Sequence, residues 1–174
     1  MNLKDLAGRT KSELDGIFAA GKAPDFKLLS GWEFKGYNHP FFASILGIRK
    51  FVKGFFMKDR KTPSGYNISA VQNGLEGEWI AKPSDADPKR FGFYTVAPVD
   101  PNGRENLHTN ALLLNYGEGE NPFIGFTWVL RDYLVQPDPA NEDLFLGLAY
   151  IALGPLRIKS NYFILERRRE STLK

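Results

Sequence analysis

The chain has no cysteine and only two histidines in 174 residues. The missing cysteine removes disulfide staples and thiolate metal ligands. It is compatible with a reducing compartment. His39 and His108 are too far apart in sequence to form a metal-ligand pair, and neither a metal nor a cofactor is expected. No Gly-Xaa-Ser-Xaa-Gly elbow, phosphate-cradling loop or dinucleotide fingerprint occurs, so no catalytic motif is present. No stretch approaches the ~20 apolar residues that span a bilayer. The longest apolar stretch, Leu144 to Leu156, is interrupted by Gly147, Gly154 and Pro155. The N-terminus carries charges throughout and lacks the apolar centre of a signal peptide, so the expected location is the cytoplasm. A net charge of +3 is too slight for a nucleic-acid-binding face. Its main basic clusters, Arg49 to Lys61 and Arg167 to Arg169, read as solubilising surface charge.

What the chain has in quantity is rings: 14 Phe, 7 Tyr and 3 Trp. They fall in short segments of alternating apolar and polar residues separated by turn signals, the pattern of antiparallel β-structure. A chain of this length buries roughly 70% of its unfolded surface, enough for one core without staples. The expected organisation is a single domain: a helical cover over residues 1–25, a barrel over 26–169, and a frayed tail over 170–174.

The helical cover rests on Thr10-Lys11-Ser12-Glu13, which matches a capping box. Leu14, Ile17 and Phe18 then share one helical face, and Gly21 stops the helix. The helix is expected to cover one end of the sheet system. Strands are expected at Leu28–Tyr37, Phe51–Met57, Tyr66–Gln72, Arg90–Val99, Leu107–Tyr116, Thr127–Gln136, Leu144–Leu153 and Tyr162–Arg168. Asn73-Gly74 predicts a tight turn into a return strand at Trp79–Ala81. Asn38 and Pro40 predict a helical segment running to Leu46. Roughly eight to ten strands are too many for a comfortable open sheet, so closure into an up-and-down barrel is expected.

Strict alternation places Arg131 and Asp132 on opposite faces of their strand, so one of them points into a closed barrel. A buried charge needs a partner or a ligand. Arg131 beside Tyr133 suits a carboxylate or phosphate head group, because a guanidinium offers a planar fork of donors. Tyr150 lies on the large-residue face of Leu144–Leu153, opposite the small Gly147 and Ala149. Glu166 is a second candidate interior charge and a possible partner for Arg131. The candidate ligand-binding set is therefore Arg131, Tyr133, Tyr150 and Glu166.

Trp32, next to Gly31 on the first strand, and a basic residue on the last strand, Arg167 or Arg168, resemble a signature of the calycin superfamily, the lipocalin-like and fatty-acid-binding-like barrels. There the first-strand Trp packs beneath a last-strand cation at the closed end. Here Gly31 adjoins Trp32, whereas the family spacing is Gly-Xaa-Trp. The segments Arg131-Asp132-Tyr133 and Asn161 to Arg167 resemble a bacterial family, a resemblance that implies no activity. The calycin resemblance implies a barrel with Trp32 and Arg167 as its structural signature.

The expected function is noncatalytic binding of a small apolar or amphipathic molecule inside the barrel, with affinity from apolar burial and orientation from a few polar groups. Two alternatives stand beside it. One is an interaction module presenting an aromatic patch to a protein. The other is an isomerase or cyclase acting on a hydrophobic substrate, for which Glu166, Asp132 and His108 are the residues to inspect.

Overall fold

In a computed structural model, which describes residues 1–39, 48–121 and 126–173, the chain is a closed barrel of antiparallel strands. The strands run in sequence order: β1 (Trp32–Asn38), β2 (Lys50–Lys58), β3 (Thr62–Ser69), β4 (Arg90–Pro98), β5 (Leu112–Asn115), β6 (Leu130–Val135), β7 (Leu144–Leu153) and β8 (Leu156–Glu170). β8 pairs back onto β1, from Trp32↔Glu170 to Asn38↔Phe163, and leaves no open edge. The helical segment expected up to Leu46 falls almost entirely on 40–47, outside the described residues.

Two helices precede the barrel. α1 (Leu3–Ala7) is too short to show a periodicity in the sequence, and Asn2 and Asp5 cap it reciprocally. α2 (Lys11–Ala20) starts where expected: Thr10 N–H donates to Glu13 Oε2 at 2.8 Å, and Glu13 N–H donates to Thr10 Oγ1 at 3.3 Å. The helices do not cover a barrel end. Leu3, Leu6, Leu14 and Phe18 pack on the outward faces of β6, β7 and β8, against Tyr133, Val135, Leu146, Leu148, Tyr162 and Ile164. Those outward faces are as apolar as the lumen, and a wall apolar on both sides has to be covered from outside.

The segment from Ala70 to Lys89 forms a second outer cover. The return strand expected at Trp79–Ala81 does not form; β4 takes the place beside β3, and only an isolated bridge, Ala70↔Ala81, remains. Lys50, 1% exposed, holds this loop down: its ammonium donates to Asn73 Oδ1 and to the carbonyls of Gly77 and Glu78, and it lies 3.8 Å from the Trp79 ring centroid. The strand expected at Leu107–Tyr116 shortens to β5 because Asn110 donates to Phe18 and Gly21 carbonyls, drawing 107–111 onto the end of α2. The expected frayed tail is docked as far as Leu173. Ser171 is buried; its N–H bonds the Gly31 carbonyl and its Oγ lies 2.6 Å from Tyr66 Oη.

The end where β1 begins is closed. A 3-10 turn (Phe26–Leu28) lies across it, and Phe26 meets Phe55 edge to face. The Arg167 guanidinium stands 4.4 Å from the Trp32 ring centroid and donates to the Leu28 and Glu142 carbonyls. It is also ion-paired with Asp143. Arg168 and Arg169 are paired as well, with Glu33 and Asp85. The 167–169 cluster therefore clamps the barrel wall and is not merely solvated charge.

Above this closure the lumen is packed. Phe34 contacts Phe55 and Phe145 edge to face at 5.6 and 5.5 Å, and Phe55 contacts Tyr94 at 5.8 Å. Glycines make room for the rings: a Cβ on Gly36, Gly65 or Gly147 would stand 2.3, 2.3 or 2.0 Å from the rings of Phe51, Tyr94 and Phe163. Among the described residues, no helix is long and apolar enough to cross a membrane.

Candidate functional site: an outer recess over an arginine–glutamate triad

Closure decides which face each expected site residue takes. On β6, Asp132 and Leu134 point into the lumen, and Arg131, Tyr133 and Val135 point out. On β7, Phe145, Gly147 and Ala149 point in and Tyr150 points out. On β8, Phe163 and Leu165 point in, and Tyr162, Ile164 and Glu166 point out. All four residues expected to bind a ligand thus lie on the outer wall, and the lumen charge on β6 is Asp132.

Glu166 is not the partner of Arg131. It accepts the Leu3 amide at 3.1 Å and the Lys35 ammonium at 3.2 Å, fastening α1 to the wall. Tyr133 and Tyr150 do come together, with ring centroids 5.6 Å apart, and His108 stacks on both. The His108 Nε2 and Tyr150 hydroxyl are 2.9 Å apart. Burial, then the Glu105 charge, pushes the Tyr133 phenol up to about 12. This cluster is packed beneath Phe18 and is part of the wall. Asp132, Glu166 and His108, the candidate acid–base groups, occupy three separate environments.

Arg131 has a different setting. It opens onto a recess of about 570 Å³ on the outer wall, between β4, β5, β6 and the β7–β8 hairpin. Ala97, Leu113, Ala152 and Trp128 supply apolar lining. The charged side holds Arg131, Arg157 and Glu105, whose side chains are only 14%, 7% and 13% exposed. Arg157 grips Glu105 bidentately: Nε donates to Oε2 and Nη2 to Oε1, each at 2.6 Å. Arg131 Nε donates to the same Oε1 at 3.0 Å. Its Nη1 donates to the Trp128 and Leu130 carbonyls. Its Nη2 bonds no described residue and lies beside Gly117, where a Cβ would stand 2.6 Å away.

The triad has two cations against one anion. Burial works to raise the Glu105 carboxyl, but hydrogen bonds from Arg157 and Arg131, and their charges, outweigh it and hold it below the ordinary glutamate range. Glu105 therefore stays ionised between the two guanidiniums. Arg104, Asp100 and Glu118 also line the recess; Glu118 is occupied by the Thr95 hydroxyl. Sequence reading singled out Arg131 but missed Glu105 and Arg157. They come from a loop and a hairpin remote in sequence, with no local pattern linking them.

Inside the barrel a second polar group was half visible in the sequence. Asp132 Oδ2 accepts from Lys53 at 3.1 Å and from the Tyr116 hydroxyl at 3.0 Å. Lys53 also donates to Tyr116 Oη at 2.6 Å, and Asn67 donates to that oxygen at 3.1 Å. Comparison of the chain with family models, with curated proteins and with solved structures yields no match.

Proposed function

We propose that the protein is a noncatalytic binder of a small amphipathic molecule, and that the anionic head of that molecule is held in the outer recess by Arg131. The carrying observation is the triad: two half-sequestered guanidiniums share one carboxylate, and Arg131 Nη2 bonds no described residue at the recess. Guanidinium donors turned to a half-buried recess favour an incoming anion. Leu113, Ala97, Ala152 and Trp128 offer the apolar body of such a molecule a surface. Relative to the sequence-based expectation the activity is retained and its location moves from the lumen, where rings occupy the space, to the wall. A cytoplasmic setting belongs to the same reading; a chain without cysteine is compatible with it. The strand order, with Arg167 over Trp32, supports a calycin-like origin for the barrel.

Calorimetric titration with a panel of alkyl carboxylates, alkyl phosphates and the matching alcohols tests this. An anion should bind and its alcohol should not, and Arg131→Gln should weaken the anion by about tenfold or more. Glu105 keeps its Arg157 clamp in that variant, so the fold is retained. If no anion binds, or if R131Q binds as the parent does, the reading fails.

An interaction-module reading is favoured by one observation, on an aliphatic face and not on the aromatic patch expected from the sequence. Leu153, Leu156 and Ile158 on the β7–β8 hairpin are 49%, 63% and 48% exposed. Sedimentation of the parent against Leu156→Ser, over a range of concentrations, measures whether that face binds a second copy.

A further inference from the structure

We infer that the guest of the outer recess is a zwitterion, an amino acid with an apolar side chain, its carboxylate gripped by Arg131 and Asn115 and its ammonium facing Glu118. This rests on the recess reading above and names the chemical class that the recess takes.

Asn115 is a donor at the recess that the triad does not include. On β5, Leu112 and Leu114 face the lumen, which turns Leu113 and Asn115 to the outer wall. Asn115 is only 7% exposed. Its Oδ1 accepts the Gly117 N–H at 3.0 Å, and that bond fixes which way round the amide sits. Its Nδ2 donates to no described residue. Asn115 is also the direct cross-strand partner of Arg131, whose Nη2 is likewise unbonded. Side chains so paired leave their strands about 5 Å apart. Two free donors on neighbouring strands suit the two oxygens of one carboxylate.

The charges of the recess are sorted along the same row. Thr95, Asn115 and Arg131 are register partners on β4, β5 and β6. At the β4 end the Thr95 hydroxyl donates to Glu118 Oε2 at 2.8 Å, and Glu118 Oε1 accepts from no described residue. At the β6 end stand Arg131 and Arg157 with Glu105 between them. Arg104 reaches the same side and donates to the Gly154 carbonyl of the hairpin. With Asp100, three cations and three carboxylates line the recess among the described residues. It is neutral in sum and bipolar across its width. A dianion such as an alkyl phosphate gains at the β6 end and is repelled by Glu118 and Asp100. A lone cation meets the reverse. A zwitterion satisfies both ends, and Leu113, Ala152 and Trp128 offer its side chain an apolar surface.

Calorimetric titration at about pH 7 compares phenylalanine with phenylpropanoate, which lacks the ammonium, and with phenethylamine, which lacks the carboxylate. Phenylalanine should bind about fivefold more tightly than phenylpropanoate, and phenethylamine should not bind. In Glu118→Gln, a change at an exposed loop residue, that preference should fall to about one. Asn115→Asp keeps the acceptor for Gly117 and replaces the free donor by an anionic oxygen. Both carboxylates should then weaken by about tenfold or more. A preference that survives in E118Q, or an N115D variant that binds as the parent does, overturns the inference. Phenylpropanoate bound as tightly as phenylalanine by the parent also overturns it, and leaves the anion reading standing. If no carboxylate binds at all, both fall.

Discussion

Lys53 Nζ lies 3.1 Å from Asp132 Oδ2 inside the barrel, with the two side chains only 2% and 7% exposed. Burial pushes the Lys53 ammonium below its ordinary range, and the Asp132 charge and hydrogen bond oppose that. Such a pair costs desolvation on both sides. Its removal as a unit and its rupture therefore have different consequences. Lys53→Met or Asp132→Leu alone leaves an uncompensated charge and should cost roughly 3 to 5 kcal/mol. The double variant should lie within about 1 kcal/mol of the parent or above it. Urea unfolding of the four proteins measures this; additive single losses would show that the two residues do not act as a pair.

Gly147 is a packing requirement. A Cβ there would stand 2.0 Å from the Phe163 ring, inside a lumen with no slack. Gly147→Ala should destabilise by about 1 to 3 kcal/mol, the range for an overpacked core. Adding Phe163→Leu should recover part of that loss, because the obstructing ring is removed. Thermal unfolding of single and double variants decides; an unchanged midpoint in G147A would mean that the lumen has room.

Arg167 ties three pieces at the closed end: the Trp32 ring, the Leu28 carbonyl and the loop carrying Glu142 and Asp143. Arg167→Leu keeps apolar cover over Trp32 but removes the charge and its donors. We expect a loss of roughly 2 kcal/mol, and faster hydrogen exchange at the amides of Leu28 and Leu29. Exchange at the parent rate would remove this role.

His108 gives the fold a pH response of defined sign. Burial, then the Lys159 charge, depresses its pKa. The groups facing it are the Tyr150 hydroxyl, the Tyr133 and Phe18 rings and Lys159, itself paired with Asp15. Above about pH 6.5 the histidine is neutral in both folded and unfolded chains, and its contribution is fully present. As the pH falls below that, the unfolded chain takes the proton first, and stability declines until the pH has passed the depressed folded value. Denaturant unfolding at pH 7 and pH 5 should show a smaller drop for His108→Gln than for the parent; equal drops would clear His108 of the effect.

The helix α2, the antiparallel strands and the closure were legible because each has a local cause. Thr10 and Glu13 cap one another within a single turn. Alternation and turn residues mark β2, β4, β6 and β7 within one or a few residues of their ends. The misreadings share the opposite property. Trp79–Ala81 has the composition of a strand, but Lys50, from another strand, holds that segment in a loop. Leu107–Ala111 alternates well enough, but Asn110 is claimed by the end of α2. The triad joins Glu105, Arg131 and Arg157 from three separate stretches of chain.

By itself the sequence determined that Arg131 and Asp132 lie on opposite faces, since the side-chain period of a strand is two. It also determined that there are enough short strands to close a sheet. Which of the two residues enters the lumen was decided only by tertiary structure. Both faces of β6, β7 and β8 are apolar, one against rings from across the barrel and the other against Leu14 and Phe18, so local hydrophobicity does not tell them apart. Closure onto β1 breaks that tie. It sends Asp132 in to meet Lys53 and leaves Arg131 outside to share Glu105 with Arg157.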